Sequence, residues 1–93
     1  MNFQRVLEGA GLTKVELALL YGVSRQTIHT WAEGGRPRVG SYTERMASVI
    51  TAALVRAIDK RVLPLGGIDR PARMAHIASM SKSLQSLKPA PAR

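Results

Sequence analysis

The residues with the greatest capacity for specific chemistry lie close together between positions 24 and 38. Arg25 and Gln26 follow Ser24, and a basic loop containing Arg36 and Arg38 comes shortly afterwards. An arginine can donate two hydrogen bonds to guanine, and a glutamine can pair with adenine, so these residue types are able to distinguish base edges. On composition alone, however, Arg25 and Gln26 would be interpreted as the solvated first turn of a helix.

The sequence contains no obvious set of residues for catalysis or metal binding. It has no cysteine and only two histidines, His29 and His76, whereas zinc sites draw on clusters of such residues. No nucleophile is grouped with a base. We therefore expect a protein that is not an enzyme, with no catalytic residue, no metal and no cofactor, and we see no sign of a small-molecule effector. A recombinase is the minor alternative.

The composition favours a polyanionic partner. The chain has 93 residues, 14 basic against 6 acidic, and a formal net charge of +8, which suits nucleic acid or an anionic membrane surface. It lacks both an apolar run of about 18 residues, which a membrane span requires, and the apolar core of a signal peptide. We expect one compact domain in the cytoplasm with no membrane association.

Two short helices with clear end signals position the polar residues. Thr13 and Glu16 form a capping box, so a helix begins directly after Thr13. Gly22 can adopt the left-handed conformation that ends it. Ser24 is a good N-cap for the next helix, which we expect over residues 25–33.

Periodicity predicts which face of the 25–33 helix is buried. Ile28, Trp31 and Ala32 recur at helical spacing, so we expect Trp31 in the core rather than stacked on a base. Five polar residues remain on the outer face: Arg25, Gln26, His29, Thr30 and Glu33.

Further helices are predicted on both sides. One covers residues 3–10, and a second capping box, Ser41–Glu44, opens a long helix that reaches about residue 60. After the break at residues 63–67, a last helix is expected at about residues 71–87, capped by Asp69 or Arg70. Its thin apolar stripe consists of Met74, Ile77, Leu84 and Leu87. We divide the chain into a domain at 1–62, a C-terminal helical segment at 63–87 that could mediate dimerisation, and a disordered tail at 88–93.

The segment LTKVELALLYGVSRQTIHTW resembles the helix-turn-helix of the Cro/repressor-type (Xre-like) DNA-binding family, and the following EGGRPR is similar to that family's basic loop. The resemblance covers roughly residues 10–60. It implies an all-α, four- to five-helix, lambda-repressor-like domain with the helix-turn-helix at residues 14–33. The residues that carry it are Leu17, Ala18, Gly22, Val23, Ile28 and Trp31.

The resemblance also implies roles for the polar residues. The 25–33 helix becomes the recognition helix, whose first exposed residues read bases in the major groove. The implied base-reading residues are Arg25, Gln26, Thr27, His29 and Thr30. From their places at helix starts and in the basic loop, we expect these residues to contact phosphates: Lys14, Ser24, Arg36, Arg38, Ser41 and Tyr42.

These observations predict a sequence-specific double-stranded DNA-binding transcriptional regulator. We expect a homodimer that binds an inverted-repeat operator and represses its own small phage or mobile-element operon. The 42–61 helix, the 71–87 helix or both would form the dimer surface. The alternative is a DNA-binding antitoxin or a DNA-packaging subunit whose C-terminal helix binds a protein partner.

Overall fold

Five α-helices make up the regular structure of residues 1–91, the part of the chain that the computed structural model describes. They confirm the predicted all-α class, and these residues contain no strand. None of the helices in this part combines the length and hydrophobicity needed to span a membrane. In chain order the helices are α1 (Phe3–Gly9), α2 (Lys14–Tyr21), α3 (Arg25–Ala32), α4 (Tyr42–Asp59) and α5 (Arg70–Gln85).

The ends of α2 and α3 form as their sequence predicts. The Thr13 hydroxyl accepts from the Glu16 amide at 3.1 Å, and the Glu16 carboxylate accepts from the Thr13 amide at 2.9 Å. Gly22 ends α2 in the left-handed region, with φ 67° and ψ 35°. Ser24 then caps α3 by accepting from the Thr27 amide at 3.1 Å. The two helices are therefore separated by a turn of fixed conformation.

The second predicted capping box forms only in half. The Ser41 hydroxyl accepts from the Glu44 amide at 3.1 Å. The Glu44 carboxylate, however, accepts from the amide of Gly40 at 2.8 Å rather than from that of Ser41. The prediction of a reciprocal box was therefore wrong, because the Gly40 amide, one residue before the N-cap, takes the carboxylate.

Three aromatic rings join the N-terminal helix to α2 and α3. Phe3, Tyr21 and Trp31 pack edge to face, with centroids 5.5, 5.5 and 5.6 Å apart. Trp31 is only 3% exposed, as its periodicity predicts. Such arrangements favour the contact of a positive ring edge with a negative ring face. The cluster fixes the rotation of α3, because Trp31 can be buried only when one face of that helix points inward.

Polar contacts attach α5 along α2. Arg73 binds both carboxylate oxygens of Glu16, with its Nε and Nη2 atoms each at 2.7 Å. At the other end of α2, the Ser81 hydroxyl donates to the Leu19 carbonyl and the Gln85 amide donates to the Leu20 carbonyl, both at 2.7 Å. These side chains satisfy carbonyls that a helix end leaves without an intrahelical partner. Segment 63–87 thus packs on the 1–62 segment of its own chain.

The apolar stripe expected on α5 is only half buried. Ile77 and Leu84 belong to the core, at 0% and 9% exposed, whereas Met74 and Leu87 remain 49% and 39% exposed. Met74 was expected to pack and does not. Leu84 and Leu87 had no obvious core partner in the sequence; Leu84 finds one, and Leu87, which lies beyond the end of α5, does not. The polar contacts with α2 help to fix the position and rotation of α5. They therefore help to determine which of its side chains face the core.

The start of the C-terminal tail contacts α4. The Ala90 amide donates to the Arg45 carbonyl at 3.0 Å, which does not fit the expectation that 88–93 is disordered from its first residue. The last two residues of that predicted tail, 92 and 93, lie outside the described part of the chain.

Candidate nucleic-acid interface

The turn and the core together set the outward face of α3. Ile28 is fully buried, and it anchors the helix together with Trp31 one turn later. Because these two residues face inward, the side chains on the opposite side must face solvent. All five polar residues predicted to face outward are exposed: Arg25, Gln26, His29 and Thr30 on α3, and Glu33 at its C-cap.

A shallow depression of about 430 Å³ lies on this face, between α3 and the first turn of α2. It is lined by Lys14, Arg25, Gln26 and His29. The Lys14 Nζ atom is 2.9 Å from the His29 Nδ1 atom. The structure therefore brings a residue expected to contact phosphate directly beside three residues expected to read bases.

The other expected base readers differ in how free their polar groups are. The Thr30 hydroxyl donates to the Gln26 carbonyl at 3.1 Å, so its oxygen can only accept from a further partner while that bond holds. Thr27 is partly buried, and its hydroxyl lies 2.9 Å from that of Ser24. The hydroxyls of Thr27 and Ser24 are thus in contact with each other at the start of α3, where Ser24 is exposed and Thr27 is not fully so.

The basic loop after α3 presents its two arginines differently. The Nη1 atom of Arg36 donates to the Trp31 carbonyl at 2.8 Å and to the Gly35 carbonyl at 2.6 Å. Its guanidinium also lies 6.0 Å from the centroid of the Phe3 ring. Arg38 is exposed. Arg36 therefore holds the loop against the end of α3, and Arg38 faces solvent.

The first turn of α4 borders the same loop. The Ser41 hydroxyl is occupied as the N-cap acceptor of Glu44. Tyr42 is 62% exposed, and the Arg45 guanidinium lies 6.0 Å from the centre of its ring. The Ser41 O–H remains free to donate, but Ser41 is partly buried, so the Tyr42 hydroxyl is the more accessible donor of the two.

The charge on this side of the molecule is mainly positive, because the nearest acidic group of α2 is turned inward. The side-chain hydrogen bonds from Arg73 hold the pKa of Glu16 down at about 2, against its ordinary value of 4.5, despite the opposing effect of burial. That carboxylate is 8% exposed. Glu33, the C-cap residue that follows α3, is the acidic residue nearest this face, and its Oε1 atom lies 3.8 Å from the His29 Nε2 atom.

Two features of the site were not predicted from the sequence. One is the contact between Lys14 and His29, which depends on how closely α2 and α3 approach. The other is the support of the first turn of α2 by Arg73, which also donates to the Gly11 carbonyl at 3.0 Å. Arg73 lies 57 residues from Glu16 in the chain, and nothing in the local sequence links them.

The depression shows no arrangement suited to metal binding. Within residues 1–91, no three histidine, cysteine or acidic side chains come together closely enough to hold a metal ion. What the face offers is a set of hydrogen-bond donors and positive charges on a rigid helix.

Comparisons with protein-family models, curated proteins and solved structures find no match to this chain. The interpretation of the site therefore depends on the geometry of its own residues.

Proposed function

We propose that the chain is a sequence-specific double-stranded DNA-binding protein that inserts α3 into the major groove. The observation that carries this proposal is the exposed cluster of Lys14, Arg25, Gln26 and His29 on one face of a helix whose other face is anchored in the core. A major groove about 12 Å wide admits one α-helix. The eight residues of α3 extend about 12 Å, enough to present two turns to the bases.

Arg25 and Gln26 are the principal base readers in this proposal. They lie in the first turn of α3, where the end of the helix can reach deepest into the groove. Arg25 can donate two hydrogen bonds to guanine O6 and N7, and Gln26 can pair with adenine N7 and N6. His29 and Thr30 contact bases from the second turn, and Thr27 is placed to support that turn through Ser24.

The residues around α3 hold it in register by contacting phosphates. Lys14, Arg38 and Tyr42 are the most available donors, and the helix N-termini at Ser24 and Ser41 add backbone amides. Arg36 keeps further N–H groups besides the Nη1 atom that holds the loop. We therefore expect Arg38→Ala to lower affinity for every sequence and to reduce the slope of log affinity against log salt by about one.

A single reading helix covers too little DNA for high specificity, and the protein would therefore act as a homodimer. Recognition helices that enter successive major grooves on one side of the DNA lie about 34 Å apart, so the operator would be an inverted repeat. Occupying such a site in its own promoter would make the chain an autorepressor, suited to a small phage or mobile-element operon. A monomer in light scattering at micromolar concentration would contradict the dimer.

A titration by fluorescence anisotropy tests the reading face. Wild type, Arg25→Ala and Gln26→Ala would be measured against a duplex from the region upstream of the coding sequence and against a scrambled duplex of equal length. We expect wild type to prefer the upstream duplex by about 1000-fold or more. Each of the two alanine variants should lose about 1–3 kcal/mol of binding free energy, the value of one good base contact. This loss should occur on the upstream duplex and not on the scrambled one.

Arg56→Ala is the matched control for the loss of one positive charge. Arg56 is exposed on α4 and lies 14 residues beyond Tyr42, which is about 21 Å along the helix axis. Arg56→Ala should therefore leave both affinities nearly unchanged, and light scattering checks that it has the oligomeric state of wild type, because α4 is a candidate dimer surface. Equal losses on the two duplexes with Arg25→Ala would contradict base reading and leave only a general attraction to DNA.

A further inference from the structure

The contact between Lys14 and His29 determines where the imidazole proton lies. A lysine ammonium group has three donors and no acceptor, whereas a neutral imidazole has one donor nitrogen and one acceptor nitrogen. The 2.9 Å contact joins Lys14 Nζ to His29 Nδ1, so Nδ1 must be the acceptor. The proton of the neutral ring must then lie on Nε2.

A second, longer contact favours the same tautomer. The His29 Nε2 atom faces Glu33 Oε1 at 3.8 Å. An ionised carboxylate only accepts hydrogen bonds, so a protonated Nε2 is attracted to it and an unprotonated one is repelled. Lys14 and Glu33 therefore act on opposite edges of the ring to favour the same form.

We propose that Lys14, by holding His29 in its Nε2–H form, makes His29 a specificity determinant that requires a hydrogen-bond acceptor on the contacted base. The inference rests on the proposed function. It gives Lys14 a positioning role in addition to any contact with phosphate, and His29 is the residue that touches the base.

The donor on His29 predicts which bases are accepted. In the major groove the N7 atom of either purine, guanine O6 and thymine O4 are acceptors, whereas cytosine presents only its N4 amino donor. His29 should therefore reject cytosine on the strand that it contacts. Arg25 also has only donors and lines the same depression, so the half-site should contain guanine, whose edge offers two acceptors and no donor.

Nitrogen NMR tests the tautomer without DNA. Spectra of ¹⁵N-labelled protein at about pH 8.5, well above the ordinary histidine range, distinguish a protonated from an unprotonated ring nitrogen. His76→Gln removes the other histidine and assigns the signals. We expect the Nε2–H form in wild type and a detectable Nδ1–H fraction in Lys14→Met. A predominant Nδ1–H form in wild type would overturn the proposal.

Selection from a library of randomised DNA duplexes tests the consequence for recognition. His29→Ala identifies the base position that His29 contacts, because preference there is lost. Wild type should disfavour cytosine at this position by about fivefold or more, since one mismatch costs at least about 1 kcal/mol. In Lys14→Met the discrimination against cytosine at the same position should fall to about twofold. The imidazole can then also present an acceptor nitrogen, which can accept from the cytosine amino group.

Arg38→Ala is the control for the loss of a charge on the same face, since Arg38 is exposed and is not among the residues lining the depression. It should reduce binding without changing the preference at any position. A Lys14→Met variant that behaves in the same way would overturn the inference and leave the proposed function intact. Failure of wild type to enrich any motif would overturn the proposed function itself.

Discussion

Glu16→Gln isolates the contribution of the ion pair that attaches α5 to α2. Glutamine is also a favourable residue at this position of a capping box, so its side-chain oxygen can still accept from the Thr13 amide. The substitution removes the charge that pairs with Arg73 and also the Oε2 acceptor of the Arg73 Nε–H group, because a glutamine amide has only one oxygen. We expect the variant to fold, to be less stable at neutral pH, and to lose part of the acid sensitivity of wild type.

The size of the effect follows from the pKa of Glu16. Hydrogen bonds from Arg73 lower that pKa from 4.5 to about 2, which corresponds to about 3 kcal/mol if the pair were fully shielded from water. Arg73 is a quarter exposed, and solvent screening reduces the expected contribution to about 1–2 kcal/mol. Because the folded-state pKa is the lower one, this stabilisation is present above about pH 4.5 and is lost as the pH falls towards 2.

Urea unfolding from pH 7 to pH 2, followed by circular dichroism, provides the measurement. The free energy of unfolding of wild type should exceed that of Glu16→Gln by about 1–2 kcal/mol at pH 7, and the two curves should converge near pH 2. Glu44→Gln is the control, because Glu44 holds the same position in α4 and forms no ion pair within residues 1–91. Curves that stay parallel across the whole range would refute the reasoning.

Two further substitutions test the packing around the turn. Tyr21→Phe removes the 2.6 Å hydrogen bond to the buried Thr51 hydroxyl and should cost about 1–2 kcal/mol in thermal or urea unfolding; a variant as stable as wild type would contradict this. Gly22→Ala should cost about 1–2 kcal/mol, because the left-handed backbone disfavours a Cβ atom and that atom would lie 2.6 Å from Gln85 Oε1. Gly66→Ala, with open space around it, is the control and should change stability by less than about 0.5 kcal/mol.

The helix boundaries could be predicted because capping is local. Thr13, Ser24 and Asp69 each cap a helix by accepting from an amide three residues later, so a short stretch of sequence contains both partners. At the start of α4, the amides of Gly40 and Ser41 can both donate to the Glu44 carboxylate. The local pattern does not decide between them, and the prediction of a reciprocal box failed because Gly40 donates.

The position of α5 could not be predicted in the same way. Its contacts with α2 join residues 57 to 65 positions apart and use polar side chains such as Arg73 and Gln85, which periodicity assigns to solvent. The sequence therefore predicted packing for Met74, which the structure leaves exposed, and showed no obvious core partner for Leu84, which is buried. Sequence patterns identify the apolar and polar faces of a helix. They do not identify which of its side chains contact another helix that is distant in the sequence.

In the candidate site, too, local features could be predicted from the sequence and contacts between distant residues could not. The exposure of Arg25, Gln26 and His29 follows from the burial of the opposite face of α3, so it was predictable. The contact of Lys14 with His29 depends on the crossing of two helices, which sequence spacing does not determine. The DNA-binding roles of these residues remain predictions that the binding experiments decide.

The aromatic cluster has a spectroscopic consequence. Trp31 is the single tryptophan of the chain, and it is buried on the inner face of the same helix whose outer face carries the proposed reading residues. Its emission should be blue-shifted in the native state and should receive excitation energy from Tyr21, whose ring centroid is 5.6 Å away. The fluorescence therefore reports whether α3 is docked in the core and is shielded from direct quenching by a bound duplex. One optical signal can thus distinguish a variant that has lost affinity from one that has lost its fold.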